Sequence, residues 1–300
     1  MKPNFWPGFT WHWPRKLLLC AALGIGAAAV AAEEPAPPLQ MHVVNFQSDP
    51  AGMNIPAIYR LPVGTGKVPV VVLLHGSGGL DSRGTLHAQD LARMGVATLE
   101  LDMWGARGVD GGAKTRPARV HDTLPDLFGA LAWLKQQPRI DTQRIGVMGF
   151  SWGGAMTMLA STEKFGIPAD ANVPLPVAMV AFYPVCWGYN HVPGYDFKQL
   201  RPVHLLVLVG AKDGYDDDPT ACTRLVAGLT DAERARTEVH VYPDAEHGFN
   251  MLEPAMHYTD PFAHRGKGGD NTSSPNPTAR EAARLEVEQF FNKYLSGNAS

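Results

Sequence analysis

The feature that most constrains this chain is Gly149-Phe150-Ser151-Trp152-Gly153, set where an apolar segment, Arg144 to Met148, gives way to a stretch of helical character. A serine on a sharp strand-to-helix elbow needs neighbours almost free of side chain two residues before it and two after, because the chain segments cross closely there. Gly149 and Gly153 meet that need, and Gly154 relaxes it further. A helix beginning at this point turns its positive end toward the serine, which favours an oxygen that gains negative charge. Alone, G-x-S-x-G turns up by chance in glycine-rich loops; the flanking strand and helix make it specific.

A serine hydroxyl is a poor nucleophile without a base, so the elbow predicts a histidine, and the chain order serine, acid, histidine puts that histidine last. His247 fits, in Tyr242-Pro243-Asp244-Ala245-Glu246-His247-Gly248-Phe249 beyond the last expected strand. His240 falls inside that strand and is read as structural. His257 and His264 lie in a polar excursion and are read as solvated. The acid should follow the preceding strand, and Val209-Gly210-Ala211-Lys212-Asp213 places Asp213 there. Asp216, Asp217 and Asp218 are rivals, but they precede Pro219 and a helix, where aspartate commonly caps the first turn.

A tetrahedral oxyanion needs two backbone N–H donors, one from the residue after the serine and one from the loop after an earlier strand. Those are Trp152 and, in His75-Gly76-Ser77-Gly78-Gly79, Ser77. The same glycine-rich loop matches neither G-x-x-x-x-G-K nor G-x-G-x-x-G, so phosphate binding is not indicated. His75 is expected to order the turn. Asp102 to Gly108 follows another strand at the same rim, which makes Trp104 and Arg107 candidate substrate contacts. An internal ion pair is an equal reading for a lone arginine. Phe150, Trp187 and Phe249 are further aromatic candidates for the pocket wall.

Apolar runs, Val68 to Leu74, Val96 to Leu101, Arg144 to Gly149, Val177 to Phe182 and Val203 to Val209, and a further strand, Thr237 to Tyr242, alternate with helix-length segments. That pattern belongs to a mostly parallel, doubly wound sheet covered on both faces, with two leading strands at Met41 to Phe46 and Ile55 to Leu61. Helices are expected near 86–94, over 122–137, after Ser151 and near 220–229. A last one is marked by a Thr278/Glu281 capping box and an apolar face of Val287, Phe290, Phe291 and Tyr294. Residues 185–201 leave no room for a lid domain. Residues 253–277, rich in Gly, Asn, Ser, Pro and His, read as an irregular surface excursion.

The first 32 residues stand apart: Lys2, Arg15 and Lys16 are their only charges, an apolar run from Leu17 to Val30 follows, and Val30-Ala31-Ala32 offers a signal-peptidase site before Glu33. At about 14 residues the run is short for a bilayer span, so 1–32 reads as a cleaved signal peptide and 33–300 as one mature domain without stable membrane association. An uncleaved anchor is the alternative reading. Removing three positive charges from a chain at −3 leaves −6, and no Lys/Arg stripe is present, so nucleic acid is not an expected partner. Cys186 and Cys222 would then meet an oxidising compartment, where a disulfide and two separate thiols both remain open.

Taken together, Leu74 to Gly79, Asp141 to Ser151, Gly210 to Asp213 and Glu246 to Phe249 resemble the dienelactone hydrolase family of the α/β-hydrolase fold, over nearly all of residues 33–300. The resemblance implies a lidless α/β enzyme acting on small-molecule esters or lactones with no metal or organic cofactor. The best-known members carry cysteine where this chain has Ser151. Exported members imply a bond between Cys186 and Cys222. A peptidase or carbohydrate deacetylase on the same residues, and a binding protein with an inert site, are the competing functions.

Overall fold

The apolar runs become neighbours in one eight-stranded sheet. The structure, a computed structural model, describes residues 38–49, 51–167 and 172–297. Its strands are β1 (Leu39–Gln47), β2 (Asn54–Pro62), β3 (Val68–Leu74), β4 (Ala97–Leu101), β5 (Ile140–Phe150), β6 (Ala178–Phe182), β7 (His204–Gly210) and β8 (Thr237–Tyr242). They lie in the order β1-β2-β4-β3-β5-β6-β7-β8. From β4 through β8 every adjacent pair is parallel, while β1 and β2 form an antiparallel edge. The expected signal peptide, residues 1–32, lies outside the described residues.

The absence of alternation in the inner strands follows from burial on both faces. Val70, Val72 and Leu74 of β3 join the layer containing the helices Leu124–Leu134 and Trp152–Ala160. Val71 and Leu73 join the opposite layer, with Ser82–Arg93 and Pro277–Leu295. Each fully buried Val or Leu contributes about 1.5–3 kcal/mol, so neither face tolerates a polar residue cheaply. Phe291 of the last helix packs so closely on β5 that a Cβ at Gly146 would stand 2.7 Å from its ring.

Three local expectations are corrected. The last helix is capped by Asn276, whose side chain accepts from Ala279 N, with Pro277 in its first turn, and not by Thr278. Proline suits that position because its missing N–H has no partner in the first turn. The helix expected near 86–94 begins at Ser82, since Asp81 accepts from Arg83 N and starts it a turn earlier. Residues 253–277 are not wholly irregular: β9 (Met256–Asp260) and β10 (Gly269–Ser273) pair as an antiparallel hairpin. Its faces are largely polar, so it carries no period-two apolar signal.

Parallel strands of this order present their carboxyl ends on one edge, where loops from successive strands converge. β3 delivers His75 to Gly79 there, β5 delivers Ser151, β6 Cys186, β7 Asp213 and β8 His247.

Candidate active site

Ser151 occupies the left-handed half of backbone space, with φ 52° and ψ −105°. A non-glycine residue persists there only where its surroundings over-determine it. A Cβ on Gly149 would lie 2.0 Å from Gly153 O, and one on Gly153 would lie 2.1 Å from Leu74 O. The crossing is therefore closed to any side chain at either position. Ser151 N donates to Phe182 O at 3.0 Å, and Gly153 N to His75 O at 3.1 Å, which stitches the elbow to the ends of β6 and β3.

His247 reaches over the sheet edge to this serine. Its Nε2 is 2.8 Å from Ser151 Oγ and its Nδ1 is 2.8 Å from Asp213 Oδ2. Both His247 and Asp213 are only 3% exposed. A carboxylate only accepts, so Nδ1 carries the proton and Nε2 is left to accept from the serine hydroxyl. Asp213 Oδ1 accepts from Tyr215 N at 2.9 Å, fixing the carboxylate. The rings of Tyr183 and Tyr215 stand 4.7 and 4.5 Å from the imidazole and confine it.

The rival aspartates are otherwise engaged. Asp216 is buried and accepts from Cys186 N at 3.1 Å and Trp187 N at 2.7 Å. Burial, and then the nearby Asp213 charge, push its carboxyl upward. Asp217 meets His264 Nδ1 at 3.0 Å. Asp218 accepts from Thr220 N in the turn ahead of the helix Ala221–Ala227, whose N-cap is Thr220, so the expected cap by an aspartate is not made. His264 is thus tied to the acid loop and, through Nε2, to Asp270 O at 2.8 Å, while His257 Nδ1 meets Thr272 Oγ1 at 3.0 Å. Neither is a free loop histidine.

On the other side of Ser151 the loop after β3 is pinned at Ser77. Its carbonyl accepts from Trp104 Nε1 at 2.8 Å and Gly112 N at 2.5 Å, and its Oγ accepts from Arg116 Nη1 at 2.8 Å. Among the described residues, the amides of Ser77 and Trp152 find no protein acceptor. The Trp152 amide opens a helix, where N–H groups are left over. His75 is buried, and burial pushes it down to about 4, so it is neutral. Its Nε2 accepts from Met103 N at 3.0 Å, which leaves Nδ1 to donate to Gly76 O at 2.7 Å.

A cleft enclosing about 640 Å³, its open mouth included, runs from Ser151 outward. Ser77, Trp152, Trp187, Tyr189, Tyr215 and Phe262 line it, together with a cation, Arg116. Two expected contacts are corrected. Arg107 does not face the cleft: it holds buried Asp126 through Nη1 at 2.7 Å and Nη2 at 3.2 Å, the internal ion pair that a lone arginine also suggests. Trp104 is 2% exposed and packs edge-on against Trp152 at 5.7 Å, behind the wall. Phe150 and Phe249 are likewise core residues.

Cys186 and Cys222 are joined, with Cα atoms 5.1 Å apart across 36 residues of sequence. The bond ties the turn after β6, which carries Trp187, to the helix Ala221–Ala227 behind the acid loop. With both sulfurs in the disulfide, neither offers a thiolate to a metal beside Asp216.

The profile of the dienelactone hydrolase family matches residues 55–295. The chain belongs to the dienelactone hydrolase family. A relative in Escherichia coli (strain K12), named provisionally as a carboxymethylenebutenolidase, is 26% identical over 72% of this chain and 81% of its own length. Another in Bradyrhizobium sp, named provisionally as a lactonase, is 24% identical over 63% of this chain and 76% of its own. The dienelactone hydrolase of Anabaena variabilis ATCC 29413 shares the fold, with a TM-score of 0.55 at 20% identity, covering 86% of this chain and 99% of that one. Like these family members, the chain is a carboxylic ester hydrolase.

Within the dienelactone hydrolase frame, Arg116 and Asp260 escaped sequence reasoning altogether. They pair through Arg116 Nη2 and Asp260 Oδ1 at 2.9 Å, although 144 residues separate them. No local spacing connects the two. Tyr215 was within reach, since it follows the proposed acid by two residues and points from the same loop.

Proposed function

We propose that the chain hydrolyses carboxylic esters or lactones through an acyl intermediate on Ser151, with His247 as base and Asp213 behind it. The observation that carries this reading is a single imidazole 2.8 Å from the serine oxygen and 2.8 Å from a buried carboxylate. His247 Nε2 takes the hydroxyl proton as Ser151 Oγ attacks the carbonyl carbon. Asp213 keeps the imidazolium oriented and stabilises its charge. The amides of Trp152 and Ser77 receive the tetrahedral oxyanion. As the C–O bond to the leaving group breaks, His247 returns the proton to the departing alcohol. Water activated by the same imidazole then releases the acid and restores the serine.

Serine in place of the cysteine of the best-known family members makes base assistance obligatory, because a hydroxyl is scarcely ionised at neutral pH. Trp187 serves as a wall for the acyl group. The Cys186–Cys222 bond supports an exported enzyme, released after removal of residues 1–32, because disulfides persist in oxidising compartments. Among the described residues no helix is long and apolar enough to cross a membrane. Mass spectrometry of the exported protein should find Glu33 at its amino terminus.

The direct experiment compares hydrolysis of short p-nitrophenyl esters by wild type and Ser151→Ala. The variant is expected to lose about 10⁴-fold or more in kcat. Equal rates in the two proteins would remove Ser151 from the chemistry. A wild type inert toward esters and lactones but active on peptide amides or acetylated sugars would move the substrate class; one inert toward all would favour a binding protein.

A further inference from the structure

Arg116 lines the cleft, and buried Asp260 meets it from behind the wall. Their side chains are 7% and 2% exposed, and Nη2 to Oδ1 and Nη1 to Oδ2 both measure 2.9 Å, so the guanidinium fork is filled by one carboxylate. Arg116 Nη1 also donates to Ser77 Oγ, and the guanidinium lies 5.5 Å from the rings of Trp152 and of Phe262. Asp260 is fixed from behind by Tyr215 OH at 2.9 Å and Phe262 N at 2.9 Å. Burial works against its charge, but Arg116 and these donors outweigh it and hold the carboxyl below the ordinary carboxylate range.

An arginine in a largely apolar cleft beside a nucleophile would ordinarily capture an anionic substrate bidentately. Here that fork is already occupied. A substrate carboxylate would have to displace Asp260 and then remain beside it, with Asp213 a second negative charge behind His247. Burying like charges together is unfavourable.

We propose that Asp260 is a specificity-determining residue: by occupying the fork of Arg116 it sets the cleft for uncharged acyl groups and against substrates bearing a carboxylate. This rests on hydrolysis at Ser151. It assigns to the hairpin of β9 and β10 the function of delivering a counter-charge to the cleft wall.

The test uses two esters matched in length, methyl pentanoate and monomethyl glutarate, followed by acid release at pH 7.5. Wild type should favour the neutral ester in kcat/KM. Asp260→Asn should narrow that preference by about tenfold or more, chiefly through a lower KM for the charged ester, because Arg116 is then uncompensated. Adding Arg116→Met to Asp260→Asn should restore the neutral preference, an outcome that general loosening of the hairpin would not produce. A ratio within about twofold of wild type in an Asp260→Asn protein that still hydrolyses methyl pentanoate would overturn the proposal. So would a wild type indifferent to the charge, or loss of both activities in Asp260→Asn and Asp260→Ser alike, which would make the pair purely structural. Turnover of either ester by Ser151→Ala at the wild-type rate would strike down the site reading itself, and is scored separately.

Discussion

The floor and the wall of the cleft are built by different means. The floor, Gly149 to Gly153 with His247 and Asp213, is held by a backbone crossing too close to admit a Cβ at Gly149 or Gly153 and by loops leaving adjacent parallel strands. The wall, Arg116, Asp260, Trp187 and Tyr215, is held by side chains that reach across distant segments and by one disulfide. A floor made of backbone geometry has one solution and tolerates no substitution. A wall made of side-chain pairing can be altered piecewise, and alteration there should change which substrate enters more than how fast it reacts.

The largest effect that could break this contrast is expected at the floor. Asp213→Asn should lower kcat on a p-nitrophenyl ester by about 10⁴-fold, because an amide can stabilise the wrong imidazole tautomer. A loss below tenfold in steady-state assays would shift the acid to another residue, Asp216 first. Next comes Gly153→Val, whose side chain would collide with Leu74 O and cost about 3 kcal/mol or more in urea unfolding. In the wall, Gly266→Ala meets Trp187 at 2.6 Å, a side chain and not backbone, and should cost about 1–2 kcal/mol. Equal costs would erase the distinction.

Opening the disulfide sharpens it from the other side. The double variant Cys186→Ser/Cys222→Ser should lose about 2–4 kcal/mol by chemical denaturation and raise KM more than it lowers kcat. A fall in kcat alone would place the bond's influence on Asp213 rather than on the turn carrying Trp187.

A cumulative effect concerns pH. His75 under the floor is neutral in the fold, pushed down by burial to about 4, against an unfolded value near 6.5. Between those values the unfolded chain binds a proton that the folded chain refuses, so stability falls as pH drops from 6.5 toward 4. His87, pushed by burial to about 3, adds to the same trend. Each contributes about 1.4 kcal/mol per pH unit across its window. Unfolding curves at pH 7, 5.5 and 4.5 should show this slope, and His75→Asn should reduce it by one proton.

What the sequence made legible divides along the same line. Strands β3 to β7 were visible because double burial leaves largely apolar runs, and the elbow because glycine spacing is local. Ser151, Asp213 and His247 could be placed by chain order on such a sheet. The Arg116–Asp260 pair was not legible, since neither residue carries a local pattern and 144 residues separate them. Arg107 and Trp104 were misplaced for a related reason: position at a strand's carboxyl end brings a residue to the rim, but only its partner, Asp126 or the Ser77 carbonyl, decides which way it turns. The hairpin at 256–273 was missed because polar cross-strand contacts such as Thr259 Oγ1 to Asp270 at 2.8 Å do not show in hydrophobic periodicity.

The two ends of that hairpin have one further consequence. His247 and Ser273 form a parallel backbone bridge, Ser274 N donates to His247 O at 3.0 Å, and Asn276 N donates to Phe249 O at 2.8 Å. The chain thus leaves His247 and returns to it at nearly the same point, so the intervening segment is inserted like a cassette with closed ends. Residues 253–272 are thus anchored at both ends beside the imidazole, and their inward contacts, Asp260 with Tyr215 OH and His264 with Asp217, are what any exchange of the segment would have to keep.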